Sequence, residues 1–199
     1  KVKDIADQHG TSQSLAHVQL AHPDDQKRIG DLGISVVFTF VWTSPSLQYE
    51  MMVVPFIGEV NGIEDLYNPD TYYMQNFYPA RTVQEFGGIL VNGSDAPVGN
   101  RDPMPFMSLQ QAVSRSNGEV VMNPAQRIDI HSAIEAFTIN GARLFGHEDR
   151  LGSIEVGKTA DLIVLDQNIV GLVEEKRPDE ISNTKVTLTV FDGKIVYEQ

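Results

Sequence analysis

Apolar positions in this 199-residue chain gather into short continuous runs instead of alternating strictly with polar ones. LAHVQL (15–20) is a short run of strand-compatible residues with a histidine inside, and ISVVFTFV (34–41) and GILV (88–91) are apolar runs of the kind found in strands buried on both faces. Between them lie helix signals. In HPDDQKRIGDLG, Pro23 suits a first helical turn, Asp24 and Asp25 suit its positive end, and Gly33 suits the stop. PARTVQEFGG (79–88) reads as a helix ended by glycine, and PFMSLQQAVSRS (105–116) and DIHSAIEAFTINGARLF (129–145) as two more, the last with Asp129 as N-cap. Strands and helices in alternation, with apolar strands, predict parallel β/α units.

Two stretches depart from that rhythm. Residues 42–78 form a connection too long for a passive linker, and it carries Trp42, Met51, Met52, Met74 and most of the tyrosines. It is either a surface loop packing its own aromatics around a helical turn, or a lid or wall over a pocket at the C-terminal end of the strands. After about residue 150 the pattern changes again. LGSIEVGKTADLIVLD, a charged segment around 174–180 that reads as solvated, and TKVTLTVFDGKIVYEQ predict short strands, the last two joined by an Asp192-Gly193 hairpin turn. The expected division is a β/α part over 1–150 and a small β part over 151–199.

Charge and composition narrow the function. A formal charge of -12 and a pI near 4.7, with no Lys/Arg stripe, argue against nucleic acid as a partner. No apolar stretch reaches the roughly 18 to 20 residues of a membrane span, and no charged segment followed by an apolar one opens the chain, so a cytoplasmic chain without membrane partners is expected. Cysteine is absent, which leaves His, Asp, Glu and main-chain oxygen as metal donors. The opening at Lys1, in polar sequence, reads as a segment of a longer polypeptide.

In β/α architectures the residues just after each strand face the functional site. Asp95, in NGSDAPV, holds such a position, although an Asx-turn or N-cap aspartate helped by Pro97 fits as well. His17, at or near the end of the first strand-like run, is either a satisfied core histidine or a metal ligand. Together the two could offer one nitrogen and one oxygen to one centre. The other histidines carry less: His22 begins a helix, His131 sits in a first helical turn, and His147 lies beside Glu148 and Asp149. There is no phosphate-binding G-x-x-x-x-G-K-[ST] loop, no G-x-S-x-G elbow and no H-E-x-x-H.

AHVQ (16–19), GSDAPV (93–98), SAIEAFTINGARLFG (132–146), LGSIEVGKTADLIVLD (151–166) and the closing VFDGKIVYE together resemble the C-terminal half of the amidohydrolase superfamily. The likeness is to the branch of N-substituted formamide deformylases and exoenzyme regulatory proteins, and it spans nearly the whole chain. It implies an α/β fold, part of a (β/α)8 TIM-type barrel with strands six to eight, plus the C-terminal strands of a small β-sandwich. His17 matches the metal-ligating histidine of strand six, Trp42 a tryptophan after strand seven, and Asp95 the metal-binding, proton-handling aspartate of strand eight. The implied chemistry is hydrolysis of an amide or related C–N bond in a small molecule, using water activated by a divalent metal, most simply zinc. The family's strand-one H-x-H pair, strand-four bridging ligand and strand-five histidine have no counterpart here. The chain alone is therefore expected to be inactive, to bind metal weakly or not at all, and to self-associate as a homo-oligomer through exposed strand edges. The competing expectation is a regulatory or binding protein that keeps this scaffold without catalysis.

Overall fold

A computed structural model describes residues 4, 8, 12–98 and 101–199; His9 lies outside the described residues. Three parallel strands, β1 (Ser14–Ala16), β2 (Ser35–Phe38) and β3 (Ile89–Asn92), form one sheet in the order β1-β2-β3. Ala16 stands opposite Val37, Val37 opposite Val91 and Phe38 opposite Asn92, so the strands end at one level. Val36, Phe38, Leu90 and Val91 are buried, as expected of strands covered on both faces. The first strand is shorter than LAHVQL because His17 and Val18 adopt left-handed φ values of 64° and 44°. β1 is exposed along its length.

The crossover helices follow their signals closely. Helix α1 (Pro23–Asp31) begins where His22 Nδ1 accepts the Asp24 N–H at 3.2 Å, with Pro23 in the first turn, and it stops before Gly33 at φ 61°. It packs on a helix at Ala80–Glu85 so tightly that a Cβ on Gly30 would lie 2.3 Å from Phe86 Cβ. The region 42–78 is not a surface loop: part of it walls a cavity beside Trp42, as one of the two expectations had it, and much of the rest is core. It folds into helix α2 (Leu47–Val53), helix α3 (Tyr72–Asn76) and 3₁₀ turns at Phe40–Thr43, Val54–Phe56 and Ile63–Tyr67, and it sends Leu66, Tyr73, Met74, Phe77 and Tyr78 into the core. With Ala80–Glu85 as α4, the chain continues through α5 (Pro105–Ser114) to a helix that the sequence suggested as one piece. That helix is broken at Thr138 (φ -130°, ψ -99°) into α6 (Ile130–Phe137) and α7 (Ile139–Leu144). Asn140 explains the second piece's position: its Nδ2 donates to Leu90 O at 3.0 Å, tying α7 to β3.

Beyond residue 150, β4 (Leu162–Leu165), β5 (Val186–Phe191) and β6 (Lys194–Glu198) form a separate antiparallel sheet. Asp192 and Gly193 both have positive φ, 49° and 73°, as a two-residue hairpin turn of this twist requires. The stretch between β4 and β5 is less solvated than its charges suggest. Arg177 pairs with Glu175 and Glu180 on the surface, but Ile169 and Leu172 of helix α8 (Ile169–Glu174) and Ile181 of a following 3₁₀ turn belong to the same buried cluster as the β/α core.

Among the described residues Arg115 is the most deeply buried cation, 1% exposed, and has no carboxylate partner. Its guanidinium instead donates to Met122 O (2.7 Å), Tyr78 O (3.1 Å) and Phe77 O (3.0 Å), joining the end of α5 to the end of the 40–78 segment. Replacing it with Met removes three charge-assisted bonds and leaves the buried Met122 O without its donor, while Tyr78 O keeps the Ala80 N–H and Phe77 O keeps Asn123 Nδ2. Arg115→Met is expected to lower unfolding free energy by roughly 3 kcal/mol or more in a urea titration.

Burial pushes the Asp129 carboxyl up, but the Ser132 hydroxyl and the Ser132 and His131 N–H groups outweigh this and hold it below the usual range. Asp129→Ala should cost about 1 kcal/mol, the ordinary value of an N-cap. Because the folded-state pKa is depressed, this difference is present above the ordinary carboxylate pKa and fades as the pH falls through the lowered one. Thermal melts of both proteins across that range check the direction.

Candidate functional site

The level ends of β1, β2 and β3 bring His17, Thr39 and the Asp95 turn to one side of the sheet. His17 N donates to Val37 O at 2.8 Å, an extra rung that fixes the histidine on the β2 backbone just past the end of β1. The left-handed turn follows at once, and Val18 is a β-branched residue in a region such side chains rarely adopt. That conformation costs on the order of 1–3 kcal/mol, so neighbouring structure must hold it in place. Asp95, at φ 53°, makes a second left-handed turn after β3. Its carboxylate caps no backbone N–H among the described residues, so the Asx-turn alternative is not what the structure shows.

The three candidates converge. His17 Nε2 and Asp95 Oδ1 are 3.9 Å apart, too far for a hydrogen bond but within range of an ion pair. The Trp42 indole stacks on the His17 ring with centroids 5.3 Å apart and planes 15° from parallel. His22, His131 and His147 are exposed and stand apart from this group.

Residues that the sequence reading passed over hold the group in place. Thr39 is 1% exposed, and its Oγ1 lies 3.0 Å from His17 Nδ1. With Nδ1 as donor to Thr39, Nε2 keeps its lone pair on the side of Asp95. A hydroxyl at the C-terminal part of the apolar run ISVVFTFV was the available signal. Ser108, on α5, donates to Asn92 Oδ1 at 2.9 Å and accepts Val41 N–H at 3.1 Å, bracing the ends of β3 and β2 against the helix. Glu50 is also buried, 1% exposed, and accepts from Ser46 N (2.8 Å) and Tyr67 OH (3.3 Å). Burial pushes its carboxyl up against these bonds, and burial together with the Glu50 charge raises Tyr67 to about 12.

Beside Trp42 opens a cavity of about 480 Å³ lined by Val41, Trp42, Pro45, Tyr49, Glu50 and Val98, among others. A metal ion is the group that the histidine and aspartate call for. Two ligands of a shared tetrahedral ion, each about 2.0–2.1 Å away, stand roughly 3.4 Å apart, so the pair fits with small side-chain movement. It is an incomplete set. No group of three or more His, Cys, Asp or Glu residues arranged for a metal occurs among the described residues, whereas a catalytic zinc ordinarily has three protein ligands.

Comparison with known proteins fits this picture. The model of the amidohydrolase family matches residues 2–197. The chain belongs to the amidohydrolase family. This amidohydrolase chain is 28% identical to the N-substituted formamide deformylase of Arthrobacter pascens over 185 residues, 93% of the chain and 31% of the relative. It is 39% identical to a 5-methylthioadenosine/S-adenosylhomocysteine deaminase of Teredinibacter turnerae over 100 residues, 50% of the chain and 22% of that protein. It thus spans less than a third of these curated relatives. An adenosine deaminase of Xanthomonas campestris, solved with bound zinc, superposes with a TM-score of 0.60 at 23% identity, covering 98% of this chain and 40% of that one. Such a likeness shows the fold alone: this chain matches part of that larger structure. No helix among the described residues is long and apolar enough to cross a membrane.

Thr39→Val tests the orientation of His17. The expected result is a smaller share of the Nδ1–H tautomer in the ¹⁵N spectrum of the imidazole, with a melting temperature close to that of the parent chain.

Proposed function

We propose that the protein to which this chain contributes hydrolyses an amide or related C–N bond of a small molecule, with His17 and Asp95 among the ligands of a divalent metal, most simply zinc. The observation that carries this reading is the convergence of His17 Nε2 and Asp95 Oδ1 at 3.9 Å beyond the ends of two different parallel strands. Membership of the amidohydrolase family and the deaminase and deformylase relatives support the reaction class.

When bound, the ion would lower the pKa of a water molecule and act as a Lewis acid towards the carbonyl oxygen of an amide. Asp95 takes the proton of the attacking water and returns it to the leaving nitrogen, as a half-exposed carboxylate free of capping bonds is able to do. His17 is held by Thr39 and sheltered on one face by Trp42, which limits its movement and its contact with water. Trp42 also offers an apolar surface to a substituent beside the scissile bond. With two such ligands among the described residues, the 199-residue chain by itself is inactive and holds metal weakly.

The test compares a longer form of the protein, its Asp95→Asn variant and the 199-residue chain for metal content and for amide and deaminase turnover. The expected result is metal and turnover in the longer protein, at least about a 100-fold drop in turnover for Asp95→Asn, and neither in the short chain. A longer protein that is metal-free and inactive overturns the reading and favours a binding or regulatory role on the same scaffold.

A further inference from the structure

The cavity beside Trp42 has a chemical character that the hydrolytic reading does not use. Trp42, Tyr49, Val41, Pro45 and Val98 give it an apolar, partly aromatic lining, and the one charged residue that lines it is Glu50. No lysine or arginine among the described residues does. The hydrogen bonds that Glu50 accepts from other residues, Ser46 N and Tyr67 OH, both fall on Oε2, and none from another residue falls on Oε1 among the described residues. At 1% exposure this carboxylate is hidden from bulk water, so its field acts inside the cavity with little screening.

A helix cap alone accounts for only half of this. Glu50 reaches back to the Ser46 N–H at the start of α2, and that bond needs one oxygen. The second oxygen and the aromatic faces in the same cavity remain unexplained by capping. Aromatic faces and a sheltered carboxylate both attract cations and both disfavour anions. The overall charge of -12 acts in the same direction at longer range.

We infer that this cavity is a subsite for a protonated amine carried on an apolar or aromatic group, with Glu50 supplying the charge and Trp42 and Tyr49 the faces. Since Trp42 also stacks on His17, the subsite adjoins the hydrolytic centre. Calling its occupant a substituent of the substrate rests on the proposed hydrolase function; the binding of the amine does not.

Trp42 is the chain's single tryptophan, so intrinsic fluorescence reports on this cavity without interference. The experiment titrates the 199-residue chain with benzylammonium, benzyl alcohol and benzoate at neutral pH. The expected result is a saturable change with benzylammonium, about 10-fold tighter than benzyl alcohol, and none with benzoate. Glu50→Gln keeps the acceptor that caps α2 and should reduce the preference to within about 2-fold. Val98→Lys, at an exposed residue of the rim, should do the same by repulsion while leaving benzyl alcohol unchanged. Circular dichroism checks that each variant folds, and if Glu50→Gln does not, Val98→Lys decides. Equal binding of benzylammonium and benzyl alcohol, no binding of either, or a preference unchanged in the folded variants overturns the inference. Neither metal nor turnover enters the titration, so loss of the hydrolase reading would leave its result standing.

Discussion

The site depends on three parallel strands ending at one level. Parallel pairing has no hairpin to set its register, so the alignment of Ala16, Val37 and Val91 comes from the buried side chains of β2 and β3 and from the helices that cover them. A slip of one residue would turn Phe38 and Leu90 out of the core and carry His17 and Asp95 to different heights. Once the register is set, two short left-handed turns swing a histidine and a carboxylate toward each other from strands that are not neighbours in the sheet. The strain of those turns is tolerable because the backbone on either side is hydrogen-bonded, His17 N to Val37 O and Val98 N to Asp95 O.

Support for that arrangement comes from the segment after β2. Its aromatic residues Tyr73, Phe77 and Tyr78 fill the space beside the sheet, with Phe38, Tyr78 and Phe77 rings 4.8–5.9 Å apart in series. Arg115 adds charge-assisted bonds to two of their backbone carbonyls, Phe77 O and Tyr78 O, and its fixed fork reaches Met122 O at the same time. A buried cation normally needs an anion. Here three carbonyl dipoles and the Phe77 face, 5.6 Å away, take that place. The segment therefore serves two ends: it completes the core on one side and, through Trp42 and Tyr49, shapes the cavity on the other.

The antiparallel sheet stands in contrast. Ile163, Val164, Phe191, Ile195 and Val196 are half or more exposed, so its stability owes more to strand pairing and the tight Asp192-Gly193 turn than to a core of its own. Its connection to the rest is the α8 region, where Ile169, Leu172 and Ile181 join the main core. Residues 169–183 lie within the part of the sequence assigned to the β piece, yet their apolar side chains pack with the β/α part.

Sequence alone determined the elements whose signals are local. Continuous apolar runs gave strands, Pro23 with two aspartates and Gly33 bounded α1, Asp129 capped α6, and Asp-Gly made the hairpin; each depends on a few neighbouring residues and on backbone geometry that tertiary contacts rarely override. The positions of His17 and Asp95 just past β1 and β3 were also legible, because position after a strand is readable from one dimension. Tertiary structure decided what lies between distant residues. Thr39 beside His17, Ser108 bridging Asn92 and Val41, the Arg115 fork and the sheltered Glu50 pair residues 16 to 67 positions apart or depend on burial that no local pattern reports. The 42–78 segment shows the reason most plainly: its irregular turns carry no periodicity, and only packing against the sheet makes them core rather than loop.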